Sequence, residues 1–228
     1  NHRMAKSTIG IIGGGAAGFF AAITCAELLP DADIFILERG KKVLEKVRIS
    51  GGGRCNVTHA CFDPAELVEF YPRGKKALRG PFSQFCSGDT VAWYEDRGVE
   101  LKIEEDGRMF PTTDHSGTIV NCLAKEAEKH GVRVLLQQRV EQIYPPERGG
   151  HQWKIMTAKG ESLFADKLLI ATGSNKRVWD MLHHLGHKII PPVPSLFTFN
   201  SKDERIQGLP GISVPNAHLE VLGTKLDA

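Results

Sequence analysis

The sequence has none of the long apolar runs or fixed-period repeats that mark membrane and fibrous proteins. Its apolar stretches are broken by Gly, Glu or Asp within about ten residues, too few to cross a bilayer. Apolar residues make up 41% and charged residues 25% of the 228 residues, as in ordinary globular proteins. We therefore expect a soluble, folded protein with no membrane partner.

A strong excess of one charge is also missing. The 29 Lys and Arg residues against 27 Asp and Glu give a net charge of +2, which creates no strong field for nucleic acid. One local basic cluster, Arg73, Lys75, Lys76 and Arg79, is interpreted as a solvated loop in preference to a phosphate site for a nicotinamide donor. We therefore expect a small-molecule substrate and no nucleic-acid partner, and the oligomeric state stays open.

Paired cysteines are absent as well. The five cysteines form no C-x-x-C pair and no even framework, which excludes a disulfide scaffold and a zinc knuckle. They are Cys25, Cys55, Cys61, Cys86 and Cys122. Free thiols fit a reducing compartment, and no targeting signal follows Met4, so we expect a cytoplasmic protein.

One group of residues has the helical spacing of metal ligands. Asp180, His183 and His187 would share a helical face, but Gly186 ends that helix early and no fourth ligand is in sight. We therefore predict no metal.

Glycine is plentiful, with 24 residues, and its first cluster carries a recognisable pattern. The apolar segment Thr8–Ile12 predicts a strand and the Ala-rich segment Ala16–Leu29 predicts a helix. Between them the run from Gly13 to Gly18 reads G-x-G-x-x-G. Gly13 would make the tight turn, Gly15 would let the backbone approach a pyrophosphate, and Gly18 would allow close helix–sheet packing. These three glycines, with the helix N-terminus, predict a phosphate-binding turn.

A second predicted strand, Asp33–Leu37, completes a βαβ unit and is followed by Glu38. Glu38 stands twenty residues after Gly18, where an acidic side chain accepts hydrogen bonds from the adenosine ribose. Strand, turn, helix and acid together predict a dinucleotide site. The pattern does not separate NAD from FAD, because both present the same adenosine diphosphate half.

The second glycine cluster lies in an unusually long connection, Arg39–Asn56, which predicts a binding loop. Within it, Ser50 is followed by three consecutive glycines, and then by Arg54, Cys55 and Asn56. Glycine N–H groups and the Arg and Asn side chains are donors that a carbonyl-rich ring or a phosphate accepts. A flavin fits these donors.

The rest of the chain predicts further α/β elements. Between Asp63 and Gly98 the pattern indicates short helices interrupted by Pro and Gly. A helix spans the residues from Ile119 to His130, and Gly131 ends it. Strands then follow at Val132–Leu136, at the meander segments Val140–Tyr144, Trp153–Thr157 and Ser162–Ala165, and at Lys167–Ile170, which returns to the core.

These motifs resemble the BaiN-like (aminoacetone-oxidase-like) family of FAD-dependent flavoproteins over most of the chain. The matching motifs are the glycine turn, Glu38-Arg39, the run from Ser50 to Thr58, Gly107 to Pro111, Ala171 to Gly173, and the stretch from Gly186 to Leu196. The resemblance implies an α/β fold, a Rossmann-like FAD-binding domain of the glutathione-reductase type with an antiparallel β meander. It places this domain at residues 4–190 and the beginning of an inserted β-rich domain, truncated relative to the family, at residues 191–228. Residues 1–3 are interpreted as a remnant outside the native sequence.

The resemblance also implies where FAD binds. Glu38 and Arg39 contact the adenosine half, Val140 gives backbone contacts to adenine, and the loop from Ser50 to Asn56 passes the pyrophosphate toward the isoalloxazine. The full predicted set is Gly13, Gly15, Ala16, Ala17, Gly18, Glu38, Arg39, Ser50, Gly51, Gly52, Gly53, Arg54, Cys55, Asn56, Val140, Ala171, Thr172 and Gly173. Ser174 stands where many relatives have a second glycine.

We therefore expect a cytoplasmic FAD-dependent oxidoreductase in which hydride passes through flavin N5, with Arg54 and Asn56 orienting the ring. No side chain is assigned as acid or base. A second G-x-G-x-x-G is absent, so NAD(P)H would bind transiently as the electron donor. Two alternatives stay open, a flavin-linked dithiol reductase using Cys55 and Cys61, and a non-catalytic dinucleotide-binding fragment.

Overall fold

The computed structural model describes residues 6–193, 202–208 and 223. The chain divides into two compact units, Asn1–Lys188 and Ile189–Ala228. No helix in the described part of the chain is long and apolar enough to cross a membrane. The fold of the first unit positions the candidate site, and it is built around one parallel sheet.

Four parallel strands form the central sheet. They are β1 (Thr8–Ile12), β2 (Asp33–Leu37), β6 (Arg133–Leu135) and β10 (Lys167–Ile170), in the order β10-β1-β2-β6. β1 lies centrally, with Ile11 paired to Ile36 of β2 on one side and to Leu169 of β10 on the other. Parallel neighbours need crossover connections, and α1 (Ala16–Leu28) supplies the first one. The bounds of β1, β2 and β10 agree with the sequence prediction.

The sheet lies between a helical layer and a β layer. Successive side chains of a strand point to opposite faces of the sheet, so each layer covers one set of them. Ile11 and Ile36 pack against α1 and against α6 (Gly117–Lys129), where Phe19 and Leu123 are almost fully buried. On the other face, Phe35 packs on the antiparallel meander. The meander consists of β7 (Val140–Tyr144), β8 (Trp153–Thr157) and β9 (Ser162–Ala165), as predicted. This three-layer arrangement confirms the predicted fold class.

The connection from β2 to α6 is more structured than predicted. The expected loop Arg39–Asn56 contains α2 (Glu45–Ile49) and a 3₁₀ turn, Ser50–Gly53. The predicted short helices are α3 (Pro64–Leu67), α4 (Lys75–Gln84) and α5 (Ser87–Glu95). A small antiparallel sheet of β3 (Thr58–His59), β5 (Arg108–Pro111) and β4 (Leu101–Ile103), in that order, was not predicted. Its strands have two to four residues, too few for an alternating pattern to show.

Little of the second unit is described. A 3₁₀ turn spans Glu204–Ile206, and the carboxylate of Asp203 accepts a hydrogen bond from the backbone N–H of Arg205 at 2.9 Å. Most of the predicted inserted domain, residues 191–228, lies outside the described residues. The domain limits at residues 4–190 and 191–228 stay a prediction.

Candidate dinucleotide site

The glycine turn between β1 and α1 combines tight packing with one open position. Gly13 has a φ of +117°, and a Cβ atom there would lie 2.3 Å from the carbonyl oxygen of Ala171. A Cβ at Gly18 would lie 1.9 Å from the carbonyl oxygen of Gly13. Gly15 differs, because nothing lies within 4 Å of its Cβ position. The protein itself therefore requires Gly13 and Gly18, whereas Gly15 faces free space.

The N-terminus of α1 opens toward that space. Gly15 is the N-cap residue, no side chain caps the helix, and the first turn contains no acidic residue. The first N–H groups of a helix have no intrahelical partner, and the helix dipole places partial positive charge there. A 13-residue helix that begins without a cap at an open glycine is suited to an anion such as a pyrophosphate.

Glu38 directly follows β2 and holds the glycine turn in place. Its Oε2 accepts a hydrogen bond from the N–H of Gly14 at 2.9 Å, and its Oε1 accepts one from the N–H of Gly40 at 2.7 Å. Each carboxylate oxygen has a second lone pair that these bonds leave available. The structure therefore fixes the orientation of Glu38, and its contact with a ribose stays a prediction.

A cavity of about 300 Å³ adjoins the turn. This volume lies at the lower end of the range of ligand pockets, roughly 300–1,000 Å³, and suits part of a dinucleotide. Five predicted site residues line it together: Gly13, Glu38, Arg39, Val140 and Thr172. The chain thus brings the ends of β1, β2 and β10 and the start of β7 to one place.

The cavity also has lining residues that the sequence did not reveal. Among them are Arg139, which precedes β7, and Arg177, in the first turn of α7 (Lys176–His184). Both pair with Oε1 of Glu141, at 2.9 Å from Arg139 and 3.2 Å from Arg177. The signal that could have found Arg177 is its place on the helix that follows the Ala171–Gly173 segment, at the same edge of the sheet.

The second glycine cluster forms a left-handed turn. Gly51, Gly52 and Gly53 have φ values of +54°, +68° and +87°, and Cys55 has +65°. A Cβ at Gly51 would lie 2.7 Å from the backbone nitrogen of Asn56, but nothing lies within 4 Å of the Cβ positions of Gly52 and Gly53. The turn therefore presents bare backbone to open space, which is what a ligand-binding glycine loop needs.

The side chain of Arg54 makes structural contacts within the protein. Its guanidinium pairs with Glu104, approaches Asp114 at 3.4 Å and stacks 3.9 Å from the ring centroid of Phe110. The hydrogen bond to Glu104 raises the pKa of Arg54. Arg54 thus links the second glycine cluster, Gly51–Gly53, which we call the glycine loop, to the β4–β5 hairpin. Its predicted contact with a flavin stays a prediction.

Cys55 and Cys61 have different surroundings. Cys55 is 5% exposed, and burial raises the pKa of its thiol, which lies near Tyr94. Desolvation, followed by the charges of Glu66 and the nearby Cys86, raises the pKa of Cys61. A reactive thiol needs a lowered pKa and access to its partner. The structure gives the dithiol alternative no support.

One cluster in the described residues has the spacing of metal ligands. Ligand atoms of Glu27, Glu126 and His130 lie within 4.8 Å of one another. Arg97 already occupies this position, since its guanidinium pairs with Glu27 and lies 3.5 Å from Glu126. The arginine supplies the positive charge that a metal would bring.

The model of the HI0933-like protein Rossmann domain family matches residues 7–225. The chain belongs to that family. This confirms the family resemblance and the Rossmann-type domain, and it supports FAD as the cofactor of the site.

Two similar relatives have curated names. The chain is 27% identical over 226 residues to a 3-dehydro-bile acid delta(4,6)-reductase of Clostridium scindens, covering 96% of this chain and 53% of that protein. It is 28% identical over 215 residues to a ribosomal RNA dihydrouridine synthase of Haemophilus influenzae, covering 90% and 52%. The chain spans about half the length of the curated relatives it matches.

Solved structures show the same fold. THI4 of Thermovibrio ammonificans has a TM-score of 0.53 at 16% identity, covering 80% of this chain and 64% of that one. The 3-ketosteroid-delta4-(5alpha)-dehydrogenase of Rhodococcus jostii RHA1 has a TM-score of 0.51 at 20% identity, covering 74% and 46%. At these identities the likeness concerns the fold alone.

Proposed function

We propose that this chain is the FAD-binding part of an oxidoreductase that takes electrons from NAD(P)H. The observation that carries the proposal is the open position at Gly15, next to a cavity that Glu38, Val140 and Thr172 line. The turn is tightly packed at Gly13 and leaves free space at Gly15. This shape suits an extended anionic ligand that binds along the turn.

The residues present fit FAD. The N-terminus of α1 would hold the pyrophosphate, Glu38 the ribose, the cavity the adenine, and the open backbone of Gly52 and Gly53 the flavin side. When bound, FAD supplies two-electron hydride chemistry. The chain's own residues bind and orient it: Ser116, at the start of α6, donates from its backbone N–H to the carbonyl of Gly53 at 2.8 Å and so holds the glycine loop in place.

The reaction we propose is the reduction of a carbon–carbon double bond conjugated with a carbonyl group. The names of the two curated relatives support it: a delta(4,6)-reductase acting on a 3-dehydro-bile acid and a synthase of dihydrouridine both add two hydrogens to such a bond. In this reaction one carbon of the double bond receives a hydride and the other receives a proton. Oxidation of NAD(P)H to NAD(P)+ supplies the two electrons. A steroid-like ketone and a uracil ring share this conjugated unit.

The test begins with the visible absorption spectrum of the purified chain after FAD is added and the excess removed. We expect a flavin band that stays with the protein and is bleached without oxygen by NADH or NADPH. A 3-oxo-Δ4 steroid or uridine added next should restore the band as its double bond is consumed. Failure to retain FAD would contradict the cofactor assignment, and retention without reduction would favour the non-catalytic alternative.

An RNA substrate is a second candidate, favoured by one exposed surface. From residue 70 to residue 88 the sequence has four basic residues and no Asp or Glu. Phe70 and Tyr71 are 62% and 40% exposed, and α4 has no buried residue. Basic and aromatic side chains together bind single-stranded nucleic acid through phosphate contacts and base stacking. The expectation of no nucleic-acid partner therefore stays a prediction, since the Haemophilus influenzae relative is named for ribosomal RNA.

The RNA candidate is tested by fluorescence anisotropy with a labelled single-stranded RNA. The double variant K76Q/R79Q should weaken binding and lower its salt dependence, because two phosphate contacts are lost. The double variant R148Q/K159Q removes the same charge from exposed turns of the meander and serves as the control. Equal loss in both variants would show a general charge effect and contradict an RNA site at α4.

A further inference from the structure

Helix α2 is fastened to the glycine turn. The backbone N–H of Leu44 donates to the carbonyl oxygen of Gly14 at 2.8 Å, and Cγ1 of Val43 lies 3.0 Å from the Cβ position of Gly14. Leu44 is the residue immediately before α2 and is almost completely buried. The first residues of α2 therefore have a fixed position beside the turn, at the edge of the sheet where β1 and β2 end.

From this helix the side chain of Lys46 reaches the segment that follows β10. Its Nζ donates a hydrogen bond to Oγ of Ser174 at 3.4 Å and lies 3.7 Å from the Cβ position of Gly173. The two partners are 128 residues apart in the sequence. Because Gly13 itself contacts Ala171, Lys46 joins the two segments that flank the glycine turn.

The charge of Lys46 has no carboxylate partner among the described residues. Its one hydrogen bond goes to a neutral hydroxyl, is long and lies at the surface. The carboxylate of Glu38, in the candidate site, is already held by the N–H groups of Gly14 and Gly40. An ammonium group on a flexible stem, held weakly and carried by a helix whose start is bonded to the glycine turn, is available to bind an anion.

We propose that Lys46 is a phosphate-binding residue of the dinucleotide site. In the absence of ligand the ammonium rests on Ser174, and it exchanges that hydroxyl for a pyrophosphate oxygen when the dinucleotide occupies the space at Gly15. The inference rests on the proposed function, since it assumes that a dinucleotide binds there. It adds a side-chain cation to a site that otherwise binds the phosphates through backbone N–H groups.

The test compares ligands with and without phosphates. Dissociation constants of FAD, ADP and adenosine are measured by titration calorimetry for the wild type and for Lys46→Gln, Lys46→Arg and Lys42→Gln. We expect K46Q to weaken ADP and FAD about tenfold or more, as for loss of a charge-assisted hydrogen bond, and to leave adenosine within about twofold. K46R should retain most of the affinity.

The control variant K42Q removes the same charge from an exposed position on the same connection. We expect it to change all three affinities by less than about twofold. Wild-type ADP affinity in K46Q, or an equal loss for adenosine and ADP, would overturn the inference. Absence of FAD and ADP binding by the wild type itself would instead overturn the proposed function, so the two failures are distinguishable.

Discussion

Ser116 ties the glycine loop to helix α6 at the carbonyl oxygen of Gly53, which accepts the backbone N–H of Ser116 at 2.8 Å. The hydroxyl of Ser116 donates to the carbonyl oxygen of Arg48 at 2.7 Å, and the residue is 3% exposed. One buried serine therefore holds both α2 and the loop that follows it. Substitution by alanine keeps the backbone bond to Gly53 and removes the hydroxyl bond to Arg48.

We expect Ser116→Ala to lower the free energy of unfolding by about 1 kcal/mol, because a part-buried carbonyl loses its donor. Denaturant unfolding measures the change. Ser83→Ala is the matched control, since the hydroxyl of Ser83 donates to the carbonyl of Arg79 at 2.8 Å on an exposed helix. That variant should stay within about 0.5 kcal/mol of the wild type. Equal effects at the two sites would show that Ser116 has no special role.

Gly13 and Gly15, in the glycine turn between β1 and α1, should separate an effect on stability from an effect on ligand binding. Gly13→Ala places a Cβ at a positive φ and 2.3 Å from a backbone oxygen, so we expect a loss of about 3 kcal/mol of stability. Gly15→Ala meets nothing within 4 Å and keeps an ordinary extended backbone, so its stability should change by about 1 kcal/mol or less.

Gly15→Ala should change ligand affinity more than it changes stability. Its methyl group enters the space assigned to the pyrophosphate, and we expect the affinity for FAD and ADP to fall at least about tenfold. Thermal unfolding and ligand titration of the same samples measure both quantities. Wild-type affinity in a folded Gly15→Ala protein would place the pyrophosphate elsewhere.

The part of the site that could be predicted from the sequence is the part that local pattern determines. The β1–turn–α1–β2 unit and the meander were predicted because their strands alternate or are continuously apolar and their turns contain glycine. Partners distant in sequence gave no such signal. Arg54 pairs with Glu104, 50 residues away, and Lys46 contacts Ser174, 128 residues away. Such pairs depend on how the elements pack, which no local window contains.

Thiol reactivity tests the alternative in which Cys55 and Cys61 act together as a redox dithiol. Cys55 is 5% exposed and Cys61 is partly exposed, so we expect iodoacetamide to label Cys61 first in the native protein and Cys55 mainly after unfolding. Peptide mass spectrometry measures the labelling at each position. Labelling of Cys61 should not change in Cys55→Ser. A Cys55–Cys61 disulfide after mild oxidation of the folded protein would restore the dithiol alternative.

The start of β1 is held by an acidic residue whose protonation should affect stability. The carboxylate of Asp166, in the turn between β9 and β10, accepts hydrogen bonds from the backbone N–H of Thr8 at 2.7 Å and from the side-chain amide of Gln152 at 3.1 Å. The bond from Thr8 is the main cause that lowers the pKa of Asp166. A carboxylate with a lowered pKa stabilises the folded state above its unfolded pKa of about 3.9.

The stabilisation from Asp166 should therefore be present at pH 7 and be lost as the pH falls through the lowered pKa of the folded state. We expect Asp166→Asn to be less stable than the wild type at pH 7, with a difference that shrinks below about pH 4. Urea unfolding across this pH range measures the difference. Asp31→Asn is the control, because Asp31 is exposed and makes no hydrogen bond or ion pair with the described residues. A difference for Asp166→Asn that is constant with pH would show that the amide disturbs the turn for a reason other than charge.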